Sequence, residues 1–147
     1  MRAWSLGMAV ALLAGSFSAW ASLGGDAASV AADQRQMNAA LRSTSAPQYT
    51  QFEFQTPSGT RVREYLSPAG VVFAVVWNGP SLPDLRQLLG RYFAQYVEAN
   101  AEGAGAGPRL IAQPGLIVYA GGHMRAFMGR ALVPDLVPKG VSLEEIR

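Results

Sequence analysis

An antiparallel α+β domain is the fold class this sequence predicts: a sheet of about five strands, one amphipathic helix packed on one face, and a weaker N-terminal helix. Three observations predict it. Two Pro-Gly corners, Thr56-Pro57-Ser58-Gly59 and Ser67-Pro68-Ala69-Gly70, sit one short strand apart. The stretch from Val71 to Trp77 is apolar at every position. An apolar stripe then runs from Leu85 to Val97 at helical spacing. Strands, then a helix, then strands suit a segregated α+β arrangement.

The first 21 residues read as an export address. Arg2 supplies a positive start, Leu6 to Phe17 is an uncharged apolar core, and Ala19-Trp20-Ala21 offers the small-x-small pattern of a cleavage site. The run is too short to span a bilayer, which takes about 20 apolar residues. No Cys is available for lipidation and no twin-arginine pair is present. The expectation is a signal peptide over residues 1–21, a single domain over residues 22–147, and a periplasmic or secreted protein without a membrane span after cleavage.

Without Arg2 the chain carries 11 basic and 10 acidic residues, close to neutral, so bulk charge does not point to nucleic acid. The absence of cysteine excludes disulfides, thiolate catalysis and sulfur-ligated metals.

Asp26 is placed to cap a helix over roughly Ala28 to Arg42, whose apolar stripe of Val30, Met37 and Leu41 is sparse. Ser43 to Pro47 reads as a loop. Tyr49 to Thr56 alternates, with Phe52 and Phe54 on one side and Gln51, Glu53 and Gln55 on the other. A three-residue loop at Pro57 to Gly59 pairs Thr56 with Thr60, which sets Phe54 against Val62, Phe52 against Glu64 and Glu53 against Arg63. Apolar meets apolar and charge meets opposite charge, and a slip of one residue would spoil both. The second corner sets Leu66 against Val72, Glu64 against Ala74, Val62 against Val76 and Arg61 against Trp77. In this register one face carries Phe54, Val62, Ala74 and Val76, and the other Arg61, Arg63, Tyr65, Phe73 and Trp77.

Asn78-Gly79-Pro80 ends the strand, and Ser81 with Asp84 resembles a capping box. Leu85, Leu88, Leu89, Tyr92, Phe93, Tyr96 and Val97 form the stripe of a helix over 84–98, with Arg86, Gln87, Arg91, Gln95 and Glu98 opposite. The stripe is expected on the more apolar sheet face. Gly103 to Pro108 has linker composition, and Arg109 to Ala112 can extend a short strand. Gly115 to Ala120 and His123 to Val133 flank Gly121-Gly122, a hairpin turn signal that sets Tyr119 against Met124 and Val118 against Arg125. Pro134, Pro138 and Gly140 interrupt regular structure before a short tail.

Three segments together carry a family resemblance. They are Arg63-Glu64-Tyr65 with Ser67-Pro68-Ala69-Gly70, Phe73-Ala74-Val75 through Trp77 to Pro83-Asp84-Leu85, and Gly121-Gly122-His123-Met124-Arg125 with Phe127 and Gly129-Arg130-Ala131. The chain resembles the domain of unknown function 2844 family of short exported proteobacterial proteins. The resemblance implies export and a single domain, and it assigns no residue a role.

Candidate chemistry is thin. His123, the sole histidine, lacks a nucleophile elbow of the Gly-x-Ser-x-Gly type and any metal-ligand spacing, and its bland role is a surface residue beside a turn. Glu64 falls on the apolar face, where burial raises a carboxyl pKa unless a cation or donors compensate; a functional acid, a structural ion pair or an error in the register are the readings open to it. Asp84 suits a helix N-terminus. The glycine run at 103–107 follows a helix and lacks Gly-Lys-Ser/Thr, so it is no phosphate loop. The helix stripe, with two arginines on its polar side, reads as core and not as a membrane-binding surface.

The second sheet face is the best candidate surface: Arg61, Arg63, Tyr65 and Trp77, joined by His123 and Arg125 if the last hairpin extends the sheet. Arginine beside aromatic rings suits anionic, polar or carbohydrate-like partners. The face is either open or covered by the N-terminal helix. The expected function is a non-catalytic binding or assembly module engaging an envelope protein or polymer, without cofactor or metal. The rival reading is a small hydrolase or transferase using Glu64 or His123, which requires both in one pocket. A structural envelope protein without a small ligand is a third.

Overall fold

The computed structural model describes residues 23–103 and 107–147. The expected leader and the middle of the expected linker lie outside the described residues. Among the described residues the chain forms a seven-stranded antiparallel sheet, not about five strands. The strands are β1 (Ala40–Ser45), β2 (Thr50–Gln55), β3 (Arg61–Leu66), β4 (Val72–Gly79), β5 (Arg109–Gln113), β6 (Leu116–His123) and β7 (Ala126–Leu132). Their spatial order is β1-β2-β3-β4-β7-β6-β5, so the last hairpin enters through β7 and leaves β5 at the far edge.

Helix α1 (Ala27–Met37) starts where expected, with the Asp26 carboxylate accepting from the Ser29 N–H at 2.9 Å. It stops five residues before the expected end. Asn38 takes the left-handed conformation (φ 47°) as C-cap, and the chain turns directly into β1. Residues 40–45 read as helix and loop in the sequence because β1 is an almost wholly exposed polar edge strand without apolar alternation.

The first corner forms as expected. The Gly59 N–H donates to Thr56 O at 3.0 Å with φ 90°, and β2 and β3 pair Phe54 with Val62, Phe52 with Glu64 and Glu53 with Arg63. The second corner also forms, with Gly70 at φ 80°, and begins with Leu66 opposite Val72. The ladder then slips by one. Tyr65 opposes Ala74, Glu64 opposes Val75, and Val62 opposes Trp77. Phe73 is the extra residue of a β-bulge, which reverses the facing of everything after it in β4. Val75 and Trp77 therefore join the helix-side core, while Ala74 and Val76 join the opposite one. Phe73 does not lose its carbonyl bond, because the Val133 N–H donates to it at 3.0 Å.

The expected single helix over 84–98 is broken. Asp84 caps α2 (Leu85–Leu89), accepting from the Arg86 and Gln87 N–H groups, a 3₁₀ turn follows over 90–92, and α3 (Phe93–Glu102) completes the segment. Gly90, at φ 49° and ψ −122°, supplies the break in a conformation open to glycine. The break lets Leu88 and Leu89 bury fully against Phe54, Val62, Val75 and Trp77, while Tyr92, Phe93 and Tyr96 pack at the margin. Val30 of α1 and Leu23 enter the same core.

The last hairpin turns at Met124-Arg125, with Arg125 at φ 65°, and not at Gly121-Gly122. His123 pairs with Ala126 and Gly122 with Phe127. The two glycines serve close approach instead: a Cβ on Gly121 would lie 3.2 Å from the Pro108 side chain, and one on Gly122 would lie 2.8 Å from Phe127 Cα. Beyond β7 a 3₁₀ turn (Pro134–Leu136) leads into the C-terminal segment, which lies over the second sheet face with Ile146 buried against Tyr65, Phe73, Val76 and Leu132. That face is thus neither open throughout nor covered by α1. No described helix is long and apolar enough to cross a membrane.

Gly129 sits opposite Trp77 in the ladder, beneath its indole ring. A Cβ there would overlap the ring and stand 2.7 Å from Tyr119 O. Gly129→Ala is expected to lower unfolding stability by roughly 1–3 kcal/mol. Denaturant unfolding checks this, and an unchanged midpoint would show that Trp77 does not occupy the space above Gly129.

Candidate functional site

The second sheet face gathers arginines because alternate residues of β3 and β7 point to it. Along one row of the ladder Arg63 neighbours Val76, Val76 neighbours Arg130, and Arg130 neighbours Tyr119. The next row sets Arg61 beside Asn78 and Asn78 beside Met128. The C-terminal segment covers only part of these rows. A cavity of about 520 Å³ remains between Ile146 and Arg147 on one side and Tyr119, Met128 and Arg130 on the other.

Four arginines line it, Arg61, Arg63, Arg130 and Arg147. Among the described residues Glu53 is the one side-chain carboxylate in salt-bridge range of them, 2.8 Å from Arg63 Nε and 3.6 Å from Arg61 Nε. Arg63 and Arg130 also hold the C-terminal segment. Arg63 Nη1 donates to Arg147 O at 2.6 Å, and Arg130 Nη1 donates to Leu143 O at 3.2 Å. The lining contains no Ser, Thr, Cys, His, Asp or Glu, so Tyr119 is its one titratable side chain besides the arginines. The arrangement can hold an anion; it has no acid, base and nucleophile in the mutual geometry that bond cleavage requires.

The expected surface residues separate. Arg61 and Arg63 line the cavity. Tyr65 is buried under the C-terminal segment, donating its hydroxyl to Arg147 O at 3.0 Å and accepting from Arg147 N–H at 3.2 Å. Burial pushes its pKa up. Trp77 borders the cavity as well, but its ring lies in the helix-side core because of the bulge, and its indole N–H finds no acceptor among the described residues. His123 and Arg125 sit at the exposed hairpin end and do not line the cavity; His123 Nδ1 lies 3.3 Å from Met124 O. Arg130, Arg147, Tyr119 and Met128 were missed. Three of them follow from alternation once the turn is placed at Met124-Arg125; Arg147 arrives by a tertiary route with no local signal.

Glu64 is fully buried on the helix side, as its position opposite Phe52 implied. It meets Asp33 of α1, also fully buried, and Asp33 Oδ1 accepts from Gln87 Nε2 of α2. Asp33 Oδ2 and both Glu64 oxygens have no other donor among the described residues. Two adjacent carboxyls in an apolar core do not both ionise, and a proton held between them engages one oxygen of each. Burial raises the Glu64 pKa well above the ordinary range, and the neighbouring Asp33 raises it further. Burial raises Asp33 too, opposed by its bonds to Glu64 and Gln87. Two strands separate Glu64 on β3 from His123 on β6, on the order of 14 Å of sheet, so the pair needed for catalysis is not brought together. No group of three or more metal-ligating side chains occurs among the described residues.

A carboxyl whose folded pKa exceeds its unfolded value stabilises fully below the unfolded pKa of about 4, and the contribution is lost as pH rises through the folded value. The pair is therefore expected to make the protein lose stability between acidic and neutral pH. Glu64→Gln removes the second acid while offering Asp33 a donor. The variant is expected to gain roughly 1–3 kcal/mol at neutral pH and to lose most of the wild-type slope. Urea unfolding at several pH values checks this; a variant less stable than wild type at neutral pH would contradict a protonated pair.

Comparison with known proteins adds a family and no activity. None of the curated proteins and none of the solved structures matches the chain. A family model described as protein of unknown function (DUF2844) matches residues 19–146, nearly the whole chain. The chain belongs to the domain of unknown function 2844 family.

Proposed function

We propose that this protein is an exported, non-catalytic binding or assembly module of the cell envelope, whose contact surface is the uncovered part of the second sheet face. The observation that carries this reading is the cavity in which four guanidinium groups meet one side-chain carboxylate, Glu53. Arginine is suited to such a surface because its planar fork grips carboxylates and phosphates with paired bonds. The export part of the reading rests on the leader pattern of residues 1–21 and the cleavage-type Ala19-Trp20-Ala21. Anionic polymers and acidic protein surfaces of the envelope are the partners that such a charge excess favours.

Arg61 and Arg147 are the informative positions, since neither side chain holds the C-terminal segment; Arg147 is anchored through its main chain. Charge-assisted bonds are worth about 1.5–3 kcal/mol each. The double variant Arg61→Ala/Arg147→Ala is expected to weaken capture of envelope material by tenfold or more while unfolding at the wild-type midpoint. His123→Ala/Arg125→Ala should capture as wild type does. Undiminished capture by the arginine variant, read by pull-down from an envelope fraction, would remove the cavity as the contact surface.

A further inference from the structure

The cavity's two kinds of wall point to a narrower ligand class. Arg63 and Arg130 lie in one ladder row with Val76 between them, so their backbones stand about 10 Å apart with an apolar floor in the gap. Tyr119 continues that row beside Arg130, and Met128 lies in the next, both partly exposed at 36% and 45%. Bare inorganic anions would need the guanidinium groups alone and would leave this apolar half unused. A saturated ring with an apolar C–H face laid on Val76 and against Tyr119 would use both, placing an acidic substituent within reach of the flanking arginines.

Donor capacity agrees. Arg63 commits Nε to Glu53 and Nη1 to Arg147 O, and Arg130 commits Nη1 to carbonyls of the C-terminal segment. Each keeps nitrogens without a recorded acceptor among the described residues, and Arg61 meets Glu53 only at 3.6 Å, beyond hydrogen-bond length. The volume, about 520 Å³, falls within the usual range for small-molecule pockets.

We infer that the cavity binds an acidic sugar, a pyranose ring bearing a carboxylate or phosphate, with the ring on the Val76–Tyr119 surface and the acid on the arginines. The inference rests on the reading of this face as a contact surface and specifies its ligand. Sugar rings present C–H faces that stack on aromatic side chains, and the ring-borne charge is what arginine forks select.

Calorimetric titration of the leaderless protein tests it with four probes: D-glucuronate, glucose 6-phosphate, inorganic phosphate and glucose. At least one of the two acidic sugars should bind, at least tenfold tighter than inorganic phosphate, with glucose weaker still. The acid preferred, carboxylate or phosphate, identifies the source. Raising salt should weaken the acidic probe. Tyr119→Leu should cost the acidic sugar fivefold or more and leave phosphate binding unchanged, while Arg61→Ala/Arg147→Ala should weaken both. Phosphate binding as tight as either sugar acid, or glucose binding equally well, would overturn the inference. If none of the probes binds while the arginine variant still loses envelope capture, this inference falls and the binding-module reading stands. If that variant captures normally, both fall.

Discussion

An extra residue at Phe73 determines which side of the sheet each later side chain of β4 meets. Without it, the turn-dictated pairing would carry Val75 and Trp77 onto the face that Arg61 and Arg63 occupy. With it, Trp77 lies under the helices over Gly129, and the smaller Val76 and the polar Asn78 stand between the arginine-bearing strands. The displaced bulk leaves a depression on the second face. The C-terminal segment fills one part of that depression through Ile146 and leaves the rest as the cavity.

The two faces are stabilised by different means. On the helix side the burial of Phe54, Val62, Leu88 and Leu89 supplies the apolar core, and a polar junction of Asp33, Glu64 and Gln87 ties α1 and α2 to β3. Helix α1 buries just one large apolar side chain, Val30, so its hold on the sheet leans on this junction and on the strand-like bonds that Gly24 and Gly25 make to Val72. On the opposite side the core is smaller. There the hydroxyl of Tyr65 and the guanidinium groups of Arg63 and Arg130 hold the main chain of the C-terminal segment. The same arginines that line the cavity therefore also shape it, which is why variants that leave these bonds intact are the useful probes.

Where local rules suffice, the sequence was legible. Alternation plus a Pro-Gly corner fixed the β2–β3 register to the residue, and it placed Glu64 on the apolar side and Glu53 against Arg63. Helical spacing found the α2–α3 stripe but not its break, since Gly90 within such a stripe reads as tolerated until its backbone angles are seen. The bulge left no trace because β4 is apolar at every position from Val72 to Trp77, so either register looks equally good. Strand β1 went unread because nearly all of it faces solvent, and a dyad pattern exists only where one face is buried. Gly121-Gly122 misled for a physical reason: glycine signals close approach as well as turning, and here the approach of Pro108 and Phe127 was the cause. Of the candidate surface, Arg61 and Arg63 were found by register, whereas Arg130, Tyr119 and Arg147 depend on how distant segments meet.

The sorting of β4 side chains at Phe73 is the claim on which the cavity and its arginines stand. Nuclear Overhauser contacts from the Trp77 indole ring test it most directly. The account predicts contacts to the Gly129 α protons and to the methyl groups of Val62. Contacts to the methyl groups of Ile146 and Leu132 instead would place the ring on the arginine face and contradict it.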